Sequence, residues 1–417
     1  MISSPEVVEF DEPSKLENLA RDWLALAARL DDTSYFQTPD WILSWWETVA
    51  ARPRTRAAAW RAASGRLEAL VALSRDRVRL HPRLPLKLGV YTNAGSGAGA
   101  ADHCSWLVPP AWREEVAAWL AQSLGGAGLL LRSADSGWDR PPLPGSARVV
   151  ESTVCPRVSV PPPDRDVGRT HAFDRQLRRF IRRMQREGVV FEWIASASID
   201  EPLLRTLFEL HAGVRARHGS DTSFGIEQLA LHRRLAELSG PGRGPAAVVA
   251  RRGGTVVGVL YGFAWKDTFA AYQWGWDARW DRHSMGSVLA YQAIRFAGAH
   301  GARTFDFLRG SEPYKYRFGA VDRWDRTWLV PCGPAGALLA ARYRAAELVH
   351  RSGAGGAAMR RPRRPAYSRS WMSGGRSTST PCSIGRGTPA PRVATVTAPM
   401  GGRMLAAEER AGASTQR

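Results

Sequence analysis

The sequence predicts an α/β protein with mixed sheets, built as two consecutive modules and followed by a disordered basic tail. Three observations carry the prediction. Helical and strand periodicities alternate along most of the chain, a proline-rich stretch at 156–168 divides them into two series of similar order, and beyond about residue 346 no period is sustained. The expected organisation is a first module over 1–155, a linker over 156–168, a second module over 169–345 and a tail over 346–417.

The first series opens with apolar residues at helical spacing over 13–31, then "TPDWILSWWETVA", with Thr38 as N-cap and Pro39 at the first helical position. Alternation over 56–80 around "ASG" reads as a strand pair. "LKLGVYTNAGSGAGAADH" ends a strand in a glycine-rich loop that lacks the Lys-Ser/Thr of a P-loop. A helix, "AWREEVAAWLAQSL", and a strand, "GLLLRS", complete the module.

The second series begins with the basic amphipathic helix "FDRQLRRFIRRMQREG", whose Leu177, Phe180, Ile181 and Met184 form one apolar stripe that ends at Gly188. A strand at 189–194 and two helices follow, the first capped by Asp200. Three antiparallel strands turn at Gly253-Gly254 and Lys266-Asp267. A helix over 286–300 and the strand "TFDF" close the βααβββαβ order.

Charge and cysteine content exclude several classes. Of the formal net charge of +19, residues 351–417 hold 12 arginines and 2 acidic residues, leaving a mildly basic body. A specific nucleic-acid partner is therefore not expected, and the arginine helix is read as a solvated cationic face. Cys104, Cys155, Cys332 and Cys382 show no ligand spacing, so no metal site and no disulfide framework are expected. The acidic N-terminus lacks a signal-peptide pattern and no long apolar run occurs, so the chain is expected to be cytoplasmic.

Two places carry chemistry. The first runs from "AAYQWGWD" into "ARWDRHSMGS". Gly275 marks either a packing bulge between Trp274 and Trp276 or a place where a ligand approaches beside Gln273. A helix starting near Ser284 presents the N–H groups of Met285, Gly286 and Ser287, with Arg282 beside them, as either an anion site or an ordinary helix start. The second is "TFDFLRGSEPYKYRFG". Asp306 faces opposite to Phe305 and Phe307, as a base or as an ion-pair partner of Arg309 or Arg317. Glu312 is a second candidate base, Tyr314 a candidate proton donor, and Arg309 and Lys315 candidate anion ligands.

The order of hairpin strands, interrupted strand, anion-ready helix and polar strand end resembles the acetyltransferase core of the GNAT superfamily. It is closest to the CelD/BcsL-type, or BioF2-like, domain through "F.TPDW...WW" at Phe36–Trp46, "RR...REG" at Arg178–Gly188 and "FDFxRGxExYK" at Phe305–Lys315. The resemblance implies tandem GNAT-like modules and acetyl-CoA or another acyl-CoA as co-substrate. Gln273–Gly275 and Arg282–Ser287 would hold that donor. It also implies N- or O-transfer to a small-molecule or saccharide acceptor from exopolysaccharide or envelope synthesis, with peripheral association with that machinery. Where the superfamily's pyrophosphate loop reads Q/R-x-x-G-x-G/A, this chain has one more residue before Gly286, and Ser287 in the second glycine's place. The "DF..G....YK" element is also similar to the FemABX transferases, which implies an aminoacyl-tRNA-dependent alternative with Lys315 on a substrate phosphate. A non-catalytic scaffold acting through the arginine-rich tail is the third reading.

Overall fold

The structure, a computed structural model, describes residues 4–48, 52–80, 85–97, 101–135, 141–219 and 224–351. Its strands are β1 (Glu6–Glu9), β2 (Thr55–Arg61), β3 (Leu67–Arg79), β4 (Lys87–Asn93), β5 (Leu129–Asp135), β6 (Arg148–Ser159), β7 (Val189–Ala195), β8 (Arg243–Arg252), β9 (Thr255–Trp265), β10 (Thr268–Trp276), β11 (Thr304–Asp306) and β12 (Val321–Val330). Its helices are α1 (Pro13–Arg29), α2 (Pro39–Thr48), α3 (Arg113–Ser123), α4 (His171–Arg186), α5 (Glu201–Arg217), α6 (Leu229–Glu237), α7 (Met285–Ala299), α8 (Pro313–Tyr316) and α9 (Gly333–Arg351).

All twelve strands join one mixed sheet in the order β1-β2-β3-β4-β5-β12-β6-β11-β10-β9-β8-β7. The two series therefore share a single sheet, fused at β6 and β12. β12 returns from the second series to pair antiparallel with both β5 and β6. The expected linker differs over its first residues, because 156–159 continue β6 and pair with β11 and β12. Pro156 is tolerated there because its carbonyl still accepts from the Phe307 amide. The expected tail likewise begins inside α9, and residues 352–417 lie outside the described residues, Cys382 among them.

Local chemistry places most elements where the periodicities put them. Asp200 Oδ1 accepts from the Leu203 amide and caps α5. Gly253 and Gly254, both at positive φ, make the β8–β9 turn. One core joins α1, α2, α5 and α6 over β1–β3 and β8–β10, with Tyr35 stacked on Phe263 at 4.8 Å. On the opposite face, α4 and α7 cover β7–β11 and α3 covers β2–β5. Phe305 and Phe307 lie in the α4–α7 core, which leaves Asp306 on the other face of β11.

β10 and β11 pair in parallel only through Thr268–Ala270 and Thr304–Asp306. Beyond that point β10 has a bulge at Ala271/Gln273, and the chain after β11 follows β6 instead, with the Phe307 and Gly310 amides bonding the Pro156 and Val154 carbonyls. The two strands thus part where the site begins.

Candidate functional site

The middle of the sheet builds the site. Cross-strand partners share a face, so Asp306 on β11 stands beside Arg157 on β6, and Cys155 beside Arg323 on β12. Asp325 lies two residues further along β12, on the same side. Arg157, Asp306 and Arg323 of this group line a cleft of about 630 Å³ together with His103. His103, Arg157, Thr304, Asp306 and Arg323 line one side of it; Tyr35, Phe36, Phe263 and Lys266 line the other.

At its base His103 is clamped between two carboxylates. Asp325 holds it twice: Oδ1 lies 2.7 Å from the imidazole Nδ1, and Oδ2 accepts from the His103 amide at 2.7 Å. Nε2 faces Asp306 Oδ2 at 3.2 Å, an ion-pair separation rather than a well-aligned hydrogen bond. All three residues are buried, with the His103 side chain 4% exposed. Burial opposes the imidazolium, but the charges of Asp325 and Asp306 together outweigh it and raise the pKa to about 10. The triad therefore carries an imidazolium between its two acids at neutral pH.

Backbone strain collects here. His103 and Leu308 both adopt positive φ, 52° and 54°, although neither is glycine. The Leu308 conformation turns its amide onto Asp306 Oδ1 at 2.7 Å. Asp306 is thus fixed through both oxygens, and it pairs with neither Arg309 nor Arg317.

The neighbouring loop is fixed as firmly. Arg309 Nε donates to Asp102 Oδ1 at 2.6 Å, and its Nη2 donates to the Ala101 carbonyl at 2.9 Å. Lys315 is 2% exposed and folds back into its own loop, donating to the carbonyls of Phe307, Leu308, Arg309 and Gly310 at 2.9–3.2 Å, with Glu312 Oε2 at 2.9 Å. Glu312 stands at the N-cap of α8. Tyr314 is half-buried, its ring edge-on to Trp274 and Phe307 at 6.2 and 6.1 Å. Lys315 thus spends its charge inside the protein and Arg309, its side chain 47% exposed, spends its charge on Asp102, both holding the loop that carries Asp306.

The expected donor end has a different character. A Cβ on Gly275 would lie 2.3 Å from the His211 amide nitrogen, so Gly275 admits the backbone of α5. The free edge of β10 is partly satisfied by that helix: His211 Nδ1 lies 3.0 Å from the Trp274 carbonyl, and Arg217 donates to the Trp276 carbonyl at 3.2 Å. Burial pushes the His211 pKa down to about 4, only partly offset by that carbonyl. Gln273 continues the β10–β9 pairing after the bulge. Gly286 packs on the Trp276 ring, which a Cβ would meet at 2.8 Å. Ser284 is left-handed and makes no side-chain cap to α7; Met285 and Ser287 are buried in the first turn. Arg282 donates to Glu187 at 3.1 Å. The expected donor residues thus lie together around β10 and α7, whereas of Asp306, Glu312, Tyr314, Arg309 and Lys315 only Asp306 lines the cleft, and Tyr314 packs against the α4–α7 core on the other face of the sheet.

His103, Asp102 and Asp325 escaped the sequence reading. "GAADH" carries no motif, and Asp325 lies in "DRWDRTW", past the region that reads as chemistry. Among the described residues, His103, Cys155 and Asp325 bring possible metal-ligand atoms within 4.8 Å of one another. The 2.7 Å between Nδ1 and Oδ1 is a hydrogen-bond length, however; two ligands on one tetrahedral zinc would stand about 3.3 Å apart at ordinary bond lengths.

Comparison with known proteins bears on the half that supplies Asp306. Residues 171–316 match the acetyltransferase (GNAT) domain. The matched GNAT domain ends before Asp325 and begins after His103, so the triad is completed from outside it. The crystal structure of FemX is similar in fold, at 12% identity and a TM-score of 0.53, covering 73% of this chain and 95% of that one. So is the C-terminal domain (DUF2156) of a putative lysylphosphatidylglycerol synthetase from Agrobacterium fabrum, at 14% identity and a TM-score of 0.50, covering 80% and 97%. No curated protein matches the chain significantly. Among the described residues, no helix is long and apolar enough to cross a membrane.

Proposed function

We propose that the chain is an acyltransferase that moves an acyl group from acyl-CoA, most simply acetyl-CoA, onto an amine or hydroxyl held in the cleft. The observation that carries this reading is the parting of β10 and β11 beyond Ala270 and Asp306, which puts a buried, oriented carboxylate beside the opening. The match of residues 171–316 to the GNAT acetyltransferase domain supports it.

The donor supplies an activated thioester. Asp306 takes the proton of the attacking nucleophile, Tyr314 returns one to the departing sulfur, and the backbone N–H groups at Trp274–Trp276 face the developing oxyanion. The new bond to the acyl carbon forms as the carbon–sulfur bond breaks, so one proton leaves the acceptor and one reaches the thiol. The start of α7, with Arg282, is the place for the donor's diphosphate. The acceptor is a precursor of exopolysaccharide or envelope synthesis, such as an amino sugar nucleotide or a lipid-linked sugar.

A second reading, aminoacyl transfer from a charged tRNA, is favoured by one feature: the Trp274 and Trp276 carbonyls already bond α5, which leaves less of the β10 edge for a pantetheine arm. The fold shared with FemX agrees with it. Calorimetric titration of the full chain with acetyl-CoA separates the two. Saturable binding that Gly286→Glu abolishes supports the first reading. No binding by either protein, with transfer dependent on aminoacyl-tRNA, replaces it with the second.

A further inference from the structure

The GNAT-domain match accounts for Asp306 and leaves Asp102, His103 and Asp325 unexplained, because all three lie outside residues 171–316. We propose that His103, gripped by Asp325, is a positioning residue. It supplies a fixed positive charge that holds the Asp306 carboxylate in place and directed at the cleft, so that the active site is composite and requires the first half of the chain. The inference rests on the acyl-transfer reading for the role of Asp306, and on geometry alone for the charged triad.

The grip is bidentate. A carboxylate that takes both the amide and the ring nitrogen of the same residue fixes that residue's backbone and its imidazole plane together. This explains why a non-glycine residue accepts a φ of 52° in the middle of a loop. With Nδ1 committed to Asp325, only Nε2 is left to meet Asp306. Asp306 Oδ1 is taken by the Leu308 amide, so the carboxylate cannot rotate away from the histidine. A second strut runs in parallel, since Asp102, next to His103 in sequence, holds both the guanidinium and the amide of Arg309. The loop 101–103 is therefore bolted to the strand end 306–309 at two adjacent points, about 200 residues apart in the chain.

The charges facing Asp306 come from every element around it. β12 presents Asp325 and Arg323, β6 presents Cys155 and Arg157, and the two loops present His103 and the Asp102–Arg309 pair. Arg323 is itself paired with Asp135, and burial and nearby carboxylates push the Cys155 thiol up, so it stays neutral. Among the described residues Arg157 has no ion pair and is exposed. His103 is thus the buried cation in contact with Asp306.

The test pairs the full-length protein with His103→Gln and with Asp325→Asn, in two measurements. In the first, imidazole NMR follows His103 in the wild type between pH 6 and 9. A ring that stays doubly protonated at pH 8, and loses its proton at lower pH in Asp325→Asn, supports the charged triad. A neutral ring at pH 8 overturns it, whatever the enzyme does. In the second, kcat is followed against pH with whichever donor proves active. We expect His103→Gln to lower kcat about 10- to 100-fold with KM within about threefold. A melting temperature close to wild type with an unchanged kcat overturns the positioning role. Should Gln fail to fold, Asp325→Asn carries the same readout. Absence of transfer with every donor would sink the acyl-transfer reading and leave the NMR result standing.

Discussion

Two buried histidines, His103 at the cleft and His211 beside β10, are in opposite states. His103 lies between carboxylates contributed by β11 and β12 and is held as a cation, with its pKa at about 10. His211 meets the Trp274 carbonyl and apolar neighbours, edge-on to Phe224 at 5.4 Å, and burial, with the Arg215 charge acting the same way, takes its pKa to about 4. Burial acts on both in the same direction, and what decides the outcome is the company. At the cleft end the chain gathers charge from four distant segments. At the expected donor end each feature has a local packing partner: Gly275 the α5 backbone, Gly286 the Trp276 ring.

The largest stability effect lies at the cleft. Asp325→Ala strands a buried imidazolium and the His103 amide, and should cost about 3–5 kcal/mol in urea denaturation; a loss below about 1 kcal/mol would mean that the clamp is not formed. Next comes Gly275→Ala, which drives a methyl group into the His211 amide. It should cost about 1–3 kcal/mol and release His211 from the Trp274 carbonyl, visible as a shifted imidazole resonance.

The pH dependence separates the two histidines by sign. The folded pKa of His103 is raised, so its stabilisation is complete below its unfolded pKa of about 6.5 and is lost as pH rises toward about 10. His211 has a lowered folded pKa, so its contribution is complete above about 6.5 and is lost as pH falls toward about 4. Denaturation at pH 5, 7 and 9.5 should show His103→Gln flattening the alkaline side and His211→Gln the acid side; the same flank changing in both would break the comparison. The smallest effect is Gly286→Ala, expected at about 1 kcal/mol, because the obstructing atoms belong to the Trp276 ring at the helix–sheet contact.

Most of the elements were legible because they follow local rules. The stripe of α4, the caps of α2 and α5 and the two-glycine turn of β8–β9 need no distant partner. β6 and β12 were not legible, since their neighbours are set by a β12 that returns across the sheet, and Pro156 made β6 read as linker. Asp306 could be singled out from its place between two phenylalanines. Its partner could not: Arg309 and Arg317 stand nearby in sequence, whereas His103 is brought in by the fold. Lys315 shows the same limit. A lysine in a polar loop reads as an anion ligand, but the turn at Gly310 points four carbonyls inward, and the ammonium fills that ring of acceptors.

Residue order alone indicated most helices and strands other than β6 and β12, the apolar face of those elements, and which strand end carries ionisable groups. Period and residue type act over a few residues and need nothing else. The tertiary structure alone decided that two series share one sheet, that Lys315 spends its charge inside the protein and Arg309 on Asp102, and that Asp306 faces an imidazolium rather than an arginine. Those outcomes depend on which distant strands become neighbours, and in a buried site the neighbours set the charge of every group.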